Sequence, residues 1–282
     1  MNQVFLNGQI IPQQNAGLPL NDIGVLRGFG VNDVLRTYNR KPFMLGHHLD
    51  RLAASAKHLH LKVPYSKEVL TQAIYDLIES NTTGEASIKV VVTGGPTHDG
   101  LNFDPETPTC FILIEELPVM PEHYYTDGIC LISDNHQRLV PEAKTLNYLN
   151  AIKNIPRKLD AGAYEILYHH NGALREAATS NIFLFHGDTL VTPDAHILKG
   201  MTRRVVLDLA KDHFTIQERP VRLVELFAAS EVFLTATNKG VLPVVALDGR
   251  PVGGGKVGTR SQKLGKLLHE HCYNSVDSIQ EE

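Results

Sequence analysis

The sequence predicts an α+β chain of two domains. Runs rich in Val, Ile and Phe lie among separate amphipathic helices and do not alternate with them one for one, which favours α+β over a doubly wound sheet. A stretch without periodicity, Glu116-Leu-Pro-Val-Met-Pro-Glu-His123, places two prolines between a shorter and a longer part. On this reading residues 1–117 form a small N-terminal domain, 118–125 a linker and 126–282 the larger domain.

Each element has its own signal. Val4-Phe-Leu-Asn-Gly-Gln-Ile-Ile11 reads as two short strands around an Asn-Gly turn. Over residues 46–61, Leu49, Leu52, Ala56 and Leu59 recur at spacings of three and four, which predicts a helix with one apolar stripe. A second helix is expected over 67–79, with Val69, Ile74 and Ile78 among its buried positions. Residues 87–93 and 109–115 read as strands, the first ended by Gly94-Gly95-Pro96. Residues 145–159 read as a helix with an internal Pro156. Short strands follow at 165–169, 173–176 and 181–185, with Asn171-Gly172 and Gly187-Asp188 as turns, then a helix at 202–211 and a strand at 231–236. The last helix is expected at 261–271, with a polar, frayed tail after Ser275.

Composition narrows the function classes. With 282 residues, 43% hydrophobic and 21% charged, the chain resembles an average globular protein. A net charge of −4 without a cationic run argues against nucleic-acid binding. No apolar stretch approaches the ~18 residues of a membrane-spanning helix, so no membrane partner is expected. The first residues, Met-Asn-Gln-Val, lack the basic-then-apolar pattern of a signal peptide. Three scattered cysteines, Cys110, Cys130 and Cys272, do not make a disulfide framework, and a reducing cytoplasm is the expected location.

Fourteen histidines prompt a search for metal ligands, yet there is no His-Glu-x-x-His and no Cys-x-x-Cys, and no metal is expected. Gly253-Gly-Gly-Lys256 lacks the flanking Gly and Ser/Thr of a P-loop, since these positions are Arg250 and Val257. Lys144 lies in Val140-Pro-Glu-Ala-Lys-Thr-Leu-Asn-Tyr148 at an expected helix start, where the positive helix end disfavours a cation. An amine kept neutral there suits Schiff-base chemistry, and an ordinary solvated lysine is the alternative. Glu176 lies in Gly172-Ala-Leu-Arg-Glu-Ala-Ala-Thr-Ser-Asn181, where small residues after the carboxylate leave room for a flat or bulky group. In Leu198-Lys-Gly-Met-Thr-Arg-Arg204, Gly200 permits close backbone approach and the following helix start offers N–H groups to an anion.

Together with Arg27-Gly28, Val34-Leu-Arg-Thr-Tyr38, His48-Leu-Asp-Arg-Leu-Ala-Ala-Ser-Ala56 and Phe233-Leu-Thr-Ala-Thr-Asn-Lys-Gly-Val-Leu-Pro-Val244, these motifs resemble the class IV aminotransferases. These enzymes use pyridoxal 5′-phosphate (PLP) and include the branched-chain and D-amino acid aminotransferases and aminodeoxychorismate lyase. The resemblance implies fold type IV, with a small N-terminal α/β domain and a larger C-terminal domain built on a β-barrel-like sheet. It implies that Lys144 forms the Schiff base and shuttles the proton, and that Glu176 pairs with the pyridine nitrogen. Arg51, Met201, Thr202, Thr237 and Asn238 match the phosphate site, and Tyr148 lies near the position of a tyrosine beside the cofactor oxygen. A homodimer with its active site at the subunit interface is implied as well.

The chain also departs from the pattern. Asn32-Asp33 stands where relatives carry an aromatic before an acidic residue, Gly240 replaces a Glu, and residues 93–103 contain no Arg-x-His to hold a substrate carboxylate. The backbone N–H groups around Thr237 and Asn238 and the basic groups Arg27, Arg36 and Lys89 are the candidate replacements, with Arg36 alternatively pairing Asp33 and Lys89 alternatively on a strand surface. The expected reaction is amino-group transfer between an amino acid and a 2-oxo acid. The alternatives are PLP-dependent elimination by an aminodeoxychorismate lyase and a non-catalytic PLP-carrying or interaction protein.

Overall fold

The computed structural model describes residues 2–277, and its chain divides into two compact units. Among the described residues, the first comprises 2–118, 143–147, 276 and 277; the second comprises Val119–Glu142 and Tyr148–Ser275. Residues 143–147, 276 and 277 thus pack with the first unit, although the sequence reading put them in the larger domain. Of the tail expected to fray, residues 276 and 277 continue the last helix, and 278–282 lie outside the described residues.

The first unit holds β1 (Gln3–Leu6), β2 (Gln9–Pro12), α1 (Ile23–Arg27), β3 (Gly30–Tyr38), β4 (Lys41–Pro42), α2 (Leu45–His58), α3 (Lys67–Asn81), β5 (Ala86–Thr93) and β6 (Thr109–Glu116). Its strands form an antiparallel sheet in the order β2-β1-β6-β5-β3-β4. Asn7 and Gly8 turn β1 into β2 with φ of 47° and 91°, the left-handed pair a two-residue hairpin demands. α2 and α3 bury Leu49, Leu52, Ala56, Leu70, Ile74 and Leu77 against Leu35, Ile88, Val90 and Ile112 of the sheet. Val69, expected inside, is exposed. β3 was not foreseen, because it is buried on both faces and the buried residues include Asn32 and Asp33, so no alternation of apolar residues announces it.

The second unit holds α4 (His123–Thr126), β7 (Ile129–Asn135), α5 (Leu149–Lys153), α6 (Ile155–Asp160), β8 (Glu165–His170), β9 (Ala173–Ala177), β10 (Asn181–His186), β11 (Thr189–Thr192), α7 (Met201–Ala210), β12 (Thr215–Glu218), β13 (Glu231–Ala236), β14 (Gly240–Leu247), β15 (Arg250–Pro251) and α8 (Thr259–Asp277). The single helix expected at 145–159 is instead α5 and α6. Asn154 leaves helical geometry between them, and Pro156 sits in the first turn of α6, where its missing N–H costs nothing.

The main sheet runs β12-β11-β10-β13-β14-β7-β8-β9, with β15 on β14. From β9 the chain returns to β10 through residues 178–180, where Ala177 N–H donates to Ser180 C=O (2.8 Å). The path from β10 round to β9 therefore curls on itself, as in a fold-type-IV domain. Its interior packs Leu131, Leu167, Ile182, Leu184, Leu234 and Leu242. No helix among the described residues is long and apolar enough to cross a membrane.

Candidate active site

Two sets of polar residues stand out, one in each unit. In the first, α2 presents His48, Arg51 and Ser55 along one stripe, beside the stripe of Leu49, Leu52 and Ala56 that fills the core. The stripe meets Asp33 of β3. Arg51 donates from Nε to Asp33 Oδ2 and from Nη2 to Oδ1, both at 2.8 Å, and His48 Nδ1–H donates to Oδ1 at 2.7 Å. Burial pushes the Asp33 carboxyl up, but the hydrogen bonds of His48 and Arg51 and their charges outweigh it and bring it down to about 2. His48 is also held below its usual range. Burial is the main cause, opposed by Asp33 and reinforced by the charges of Arg51 and Lys144.

Lys144 lies beside this network on an extended segment, not at a helix start as its sequence context suggested. Asn32 N–H donates to Lys144 C=O and Leu146 N–H to Gly30 C=O, each at 2.9 Å, while Lys144 N–H donates to Ser55 Oγ at 3.0 Å. β3 on one side and α2 on the other thus fix the backbone that bears the amine. These long-range bonds, and not local helix propensity, decide the conformation of residues 143–147.

The other candidates in this unit are more peripheral. Arg27 ends α1, is exposed, donates to Leu26 C=O (2.9 Å) and lies alongside Gly100. Arg36 does not pair with Asp33, whose oxygens are taken by His48 and Arg51. Its Nε donates to Thr37 C=O, and its guanidinium stacks over the Tyr38 ring 4.2 Å from the centroid. Lys89 is exposed on β5 opposite Val34.

In the second unit, Glu176 of β9 is a buried carboxylate held by donors from Arg138, Asn181 and Leu198. Arg138 Nη2 reaches Oε1 at 2.7 Å and Arg138 Nε donates to it at 2.9 Å. Leu198 N–H and Asn181 Nδ2 donate to Oε2 at 3.0 and 3.3 Å. The curl of the sheet makes this possible by bringing β9 beside the start of β10. Asn181 also donates to Leu198 C=O (2.8 Å) and lies so close to Gly200 that a side chain there would collide with its Oδ1. Gly200 precedes α7 as its N-cap without a capping side chain, and the N–H groups of Met201 and Thr202 have no carbonyl partner within the helix. Thr237 and Asn238 form the turn between β13 and β14, closed by Lys239 N–H to Ala236 C=O (3.1 Å), and Tyr148 occupies the N-cap of α5.

Arg138, Asn181 and Ser55 were not singled out from the sequence, and Asp33 was named only as a departure from the family pattern and as a partner for Arg36. Nothing local pairs position 138 with 176; only the sheet order does. His48 and Asp33 lay within quoted segments, and their polarity on a strand and an apolar helix was the available signal.

The donor set fits the group that the resemblance implies. A phosphorylated pyridine needs a fixed carboxylate, an amine and cationic or N–H donors for its phosphate. Glu176, Lys144 and Arg51 with the α7 start supply these residue types.

The family model described as amino-transferase class IV matches residues 30–247. The chain is 36% identical over 275 residues to a putative branched-chain-amino-acid aminotransferase of Methanocaldococcus jannaschii, covering 93% of each chain. It is 29% identical over 285 residues to a D-alanine aminotransferase of Listeria monocytogenes, covering 99% of each. Among solved structures it is similar to a branched-chain amino acid aminotransferase of T.th. complexed with N-(5′-phosphopyridoxyl)-L-glutamate. The TM-score is 0.88 and the identity 26%, with 97% of this chain and 94% of that one covered.

Proposed function

This chain belongs to the class IV aminotransferases, and from that premise we propose how its residues divide the work of amino-group transfer. The enzyme uses PLP to move an amino group between an amino acid and a 2-oxo acid. When bound, the cofactor's pyridine ring supplies the electron sink for the substrate Cα. Lys144 Nζ would anchor the cofactor covalently and, once the substrate's amino group has displaced it, would move the proton at that carbon. Glu176 accepts a hydrogen bond from the ring nitrogen and favours its protonated form. The observation that carries this reading is the Glu176 carboxylate itself, buried and immobilised by Arg138, Asn181 and the Leu198 N–H.

Arg51, the N–H of Met201, Thr202, Thr237 and Asn238 would bind the phosphate dianion, and Tyr148 would partner the oxygen substituent of the cofactor's ring. Asp33, itself held by His48 Nδ1–H, orients Arg51 through its Nε and Nη2. Of the substrate candidates, Arg27 is the best suited to a substrate carboxylate. Arg36 is engaged by Tyr38, and Lys89 lies on a strand surface.

The donor is a branched-chain or D-amino acid, the two classes named among the relatives. The enzyme acts as a homodimer with its active site at the subunit interface. The exposed apolar side chains Leu149, Ile152 and Leu159 support an interface of this kind. A reducing cytoplasm suits cysteines that stand as thiols.

Borohydride reduction of the PLP-loaded protein followed by peptide mapping tests the central assignment. The label is expected on the Lys144 peptide, and Lys144→Ala should lose it together with nearly all turnover. A label on Lys153 or Lys158 would refute the assignment. A donor panel containing L-leucine, L-valine and both enantiomers of alanine, with 2-oxoglutarate or pyruvate as acceptor, settles the substrate class.

A further inference from the structure

The turn after β13 carries Lys239, whose side chain is not left in solvent. Its ammonium donates to three acceptors at once: Glu165 Oε2 at 2.7 Å, Thr179 Oγ1 at 2.7 Å and Ser180 Oγ at 3.0 Å. Glu165 is itself buried at the start of β8. It accepts Thr179 N–H (2.5 Å), Thr179 Oγ1 (2.7 Å) and Ser180 Oγ (2.9 Å). Burial pushes this carboxyl up, but the charge and hydrogen bond of Lys239, with the Thr179 donors, hold it below the usual range. The main chain of Lys239 is pinned too, since its C=O accepts from Tyr125 Oη at 2.9 Å.

These bonds join two turns at one end of the curled sheet, where Asn181 of β10 pairs with Thr235 of β13. One is the Thr237–Asn238 turn. The other, residues 178–180, links Glu176 on β9 to Asn181, which donates to it. An ammonium with all three protons committed fixes the backbone around it, as a flexible exposed lysine does not.

We propose that Lys239 is a positioning residue. It locks the Thr237–Asn238 turn to the 178–180 turn, so that the cofactor's phosphate and its ring nitrogen meet donors and acceptor held at a constant separation. The proposal rests on the reading that Thr237 and Asn238 bind the phosphate, and it adds a residue that touches no cofactor atom. Glu165 is the partner that keeps Lys239 in place.

The test compares binding of PLP and of pyridoxal, which lacks the phosphate, to the apo-protein by absorbance titration. Lys239→Met is expected to raise the Kd for PLP by about tenfold, the scale on which lost outer-shell support weakens a bound group elsewhere. Pyridoxal binding should stay within about twofold of the parent, and Lys239→Arg should restore most of the PLP affinity. Because Lys239→Met leaves Glu165 buried without its cation, the paired Glu165→Leu/Lys239→Leu variant, which buries no charge, is measured alongside and should show the same selective loss. Thr237→Val provides the reference. If Thr237→Val weakens PLP binding while folded Lys239 variants bind PLP as tightly as the parent, or lose PLP and pyridoxal equally, the proposal is overturned and the phosphate reading stands. If Thr237→Val has no effect, the phosphate reading falls and the proposal with it.

Discussion

Each unit buries a carboxylate against a cation, and the two arrangements do different work. In the first, Asp33 grips the Arg51 guanidinium through two bonds, one from each oxygen, and adds His48. In the second, Glu165 faces the Lys239 ammonium, with the hydroxyls of Thr179 and Ser180 completing the shell. A guanidinium caught by its fork has its plane fixed, so the Asp33 pair aims a side chain. An ammonium is a point charge that settles where acceptors converge, so the Glu165 pair ties loops together. The choice of cation follows from whether a side chain or a backbone must be held.

The largest effect expected on this comparison comes from Arg51→Ala. Removing one partner of a buried pair costs about 3–5 kcal/mol because the other charge stays behind. Urea unfolding should register it, and PLP affinity should fall in the same variant, relieved by excess PLP. Glu176→Gln should do the opposite: PLP stays bound while the half-reaction slows by about 100-fold, ~2.7 kcal/mol of transition-state stabilisation, read by stopped-flow absorbance. If Arg51→Ala slows chemistry at saturating PLP and Glu176→Gln weakens binding, the two roles have been exchanged.

Acid separates the units next. Asp33 titrates near 2 in the fold against an ordinary 3.8, so the unfolded chain binds its proton first. Stability from this group is complete above about pH 4 and disappears as pH falls toward 2, about 2 kcal/mol in all. His48 is depressed as well, so its contribution starts to fade once pH drops below about 6.5, where the unfolded histidine takes a proton that the folded one refuses. Glu165 is held low as well, so its contribution fades only below about pH 4.5, and its partners, a lysine and two hydroxyl side chains, do not titrate in that range. On acidification, hydrogen exchange of α2 amides should therefore rise at a higher pH than that of β8, and Asp33→Asn should flatten the loss below pH 4. Simultaneous loss in both units would remove the distinction. The smallest effect is expected from Lys89→Ala, which should change stability by less than about 0.5 kcal/mol and leave KM for both substrates unaltered.

What could be read from the sequence follows from how local each cause is. The Asn7-Gly8 hairpin, α2, α7 and β13 carry their reasons within a few residues, in turn chemistry and periodicity. Glu176 and Gly200 were visible because small residues and a helix start surround them. Lys144 was singled out as a residue but misjudged in its setting, since residues 143–147 take their shape from β3 and α2, far away in the chain. β3 escaped because its buried polar pair, Asn32 and Asp33, is explained only by Thr145 C=O, His48 and Arg51. Arg138 and Lys239 became legible only when the sheet order placed β9 beside β10 and β10 beside β13.

The two stripes of α2 lie side by side, with Leu49, Leu52 and Ala56 one position after His48, Arg51 and Ser55. One added residue in the middle of this helix would turn everything beyond it by roughly 100°. Arg51 would then enter the core where Leu52 stood, Ser55 would replace Ala56, and Leu52 would be carried to the solvent side. Core and site therefore share a single reading frame. Over this helix the chain can diverge by exchanging residues but not by gaining or losing one, and changes of length are left to the loops on either side.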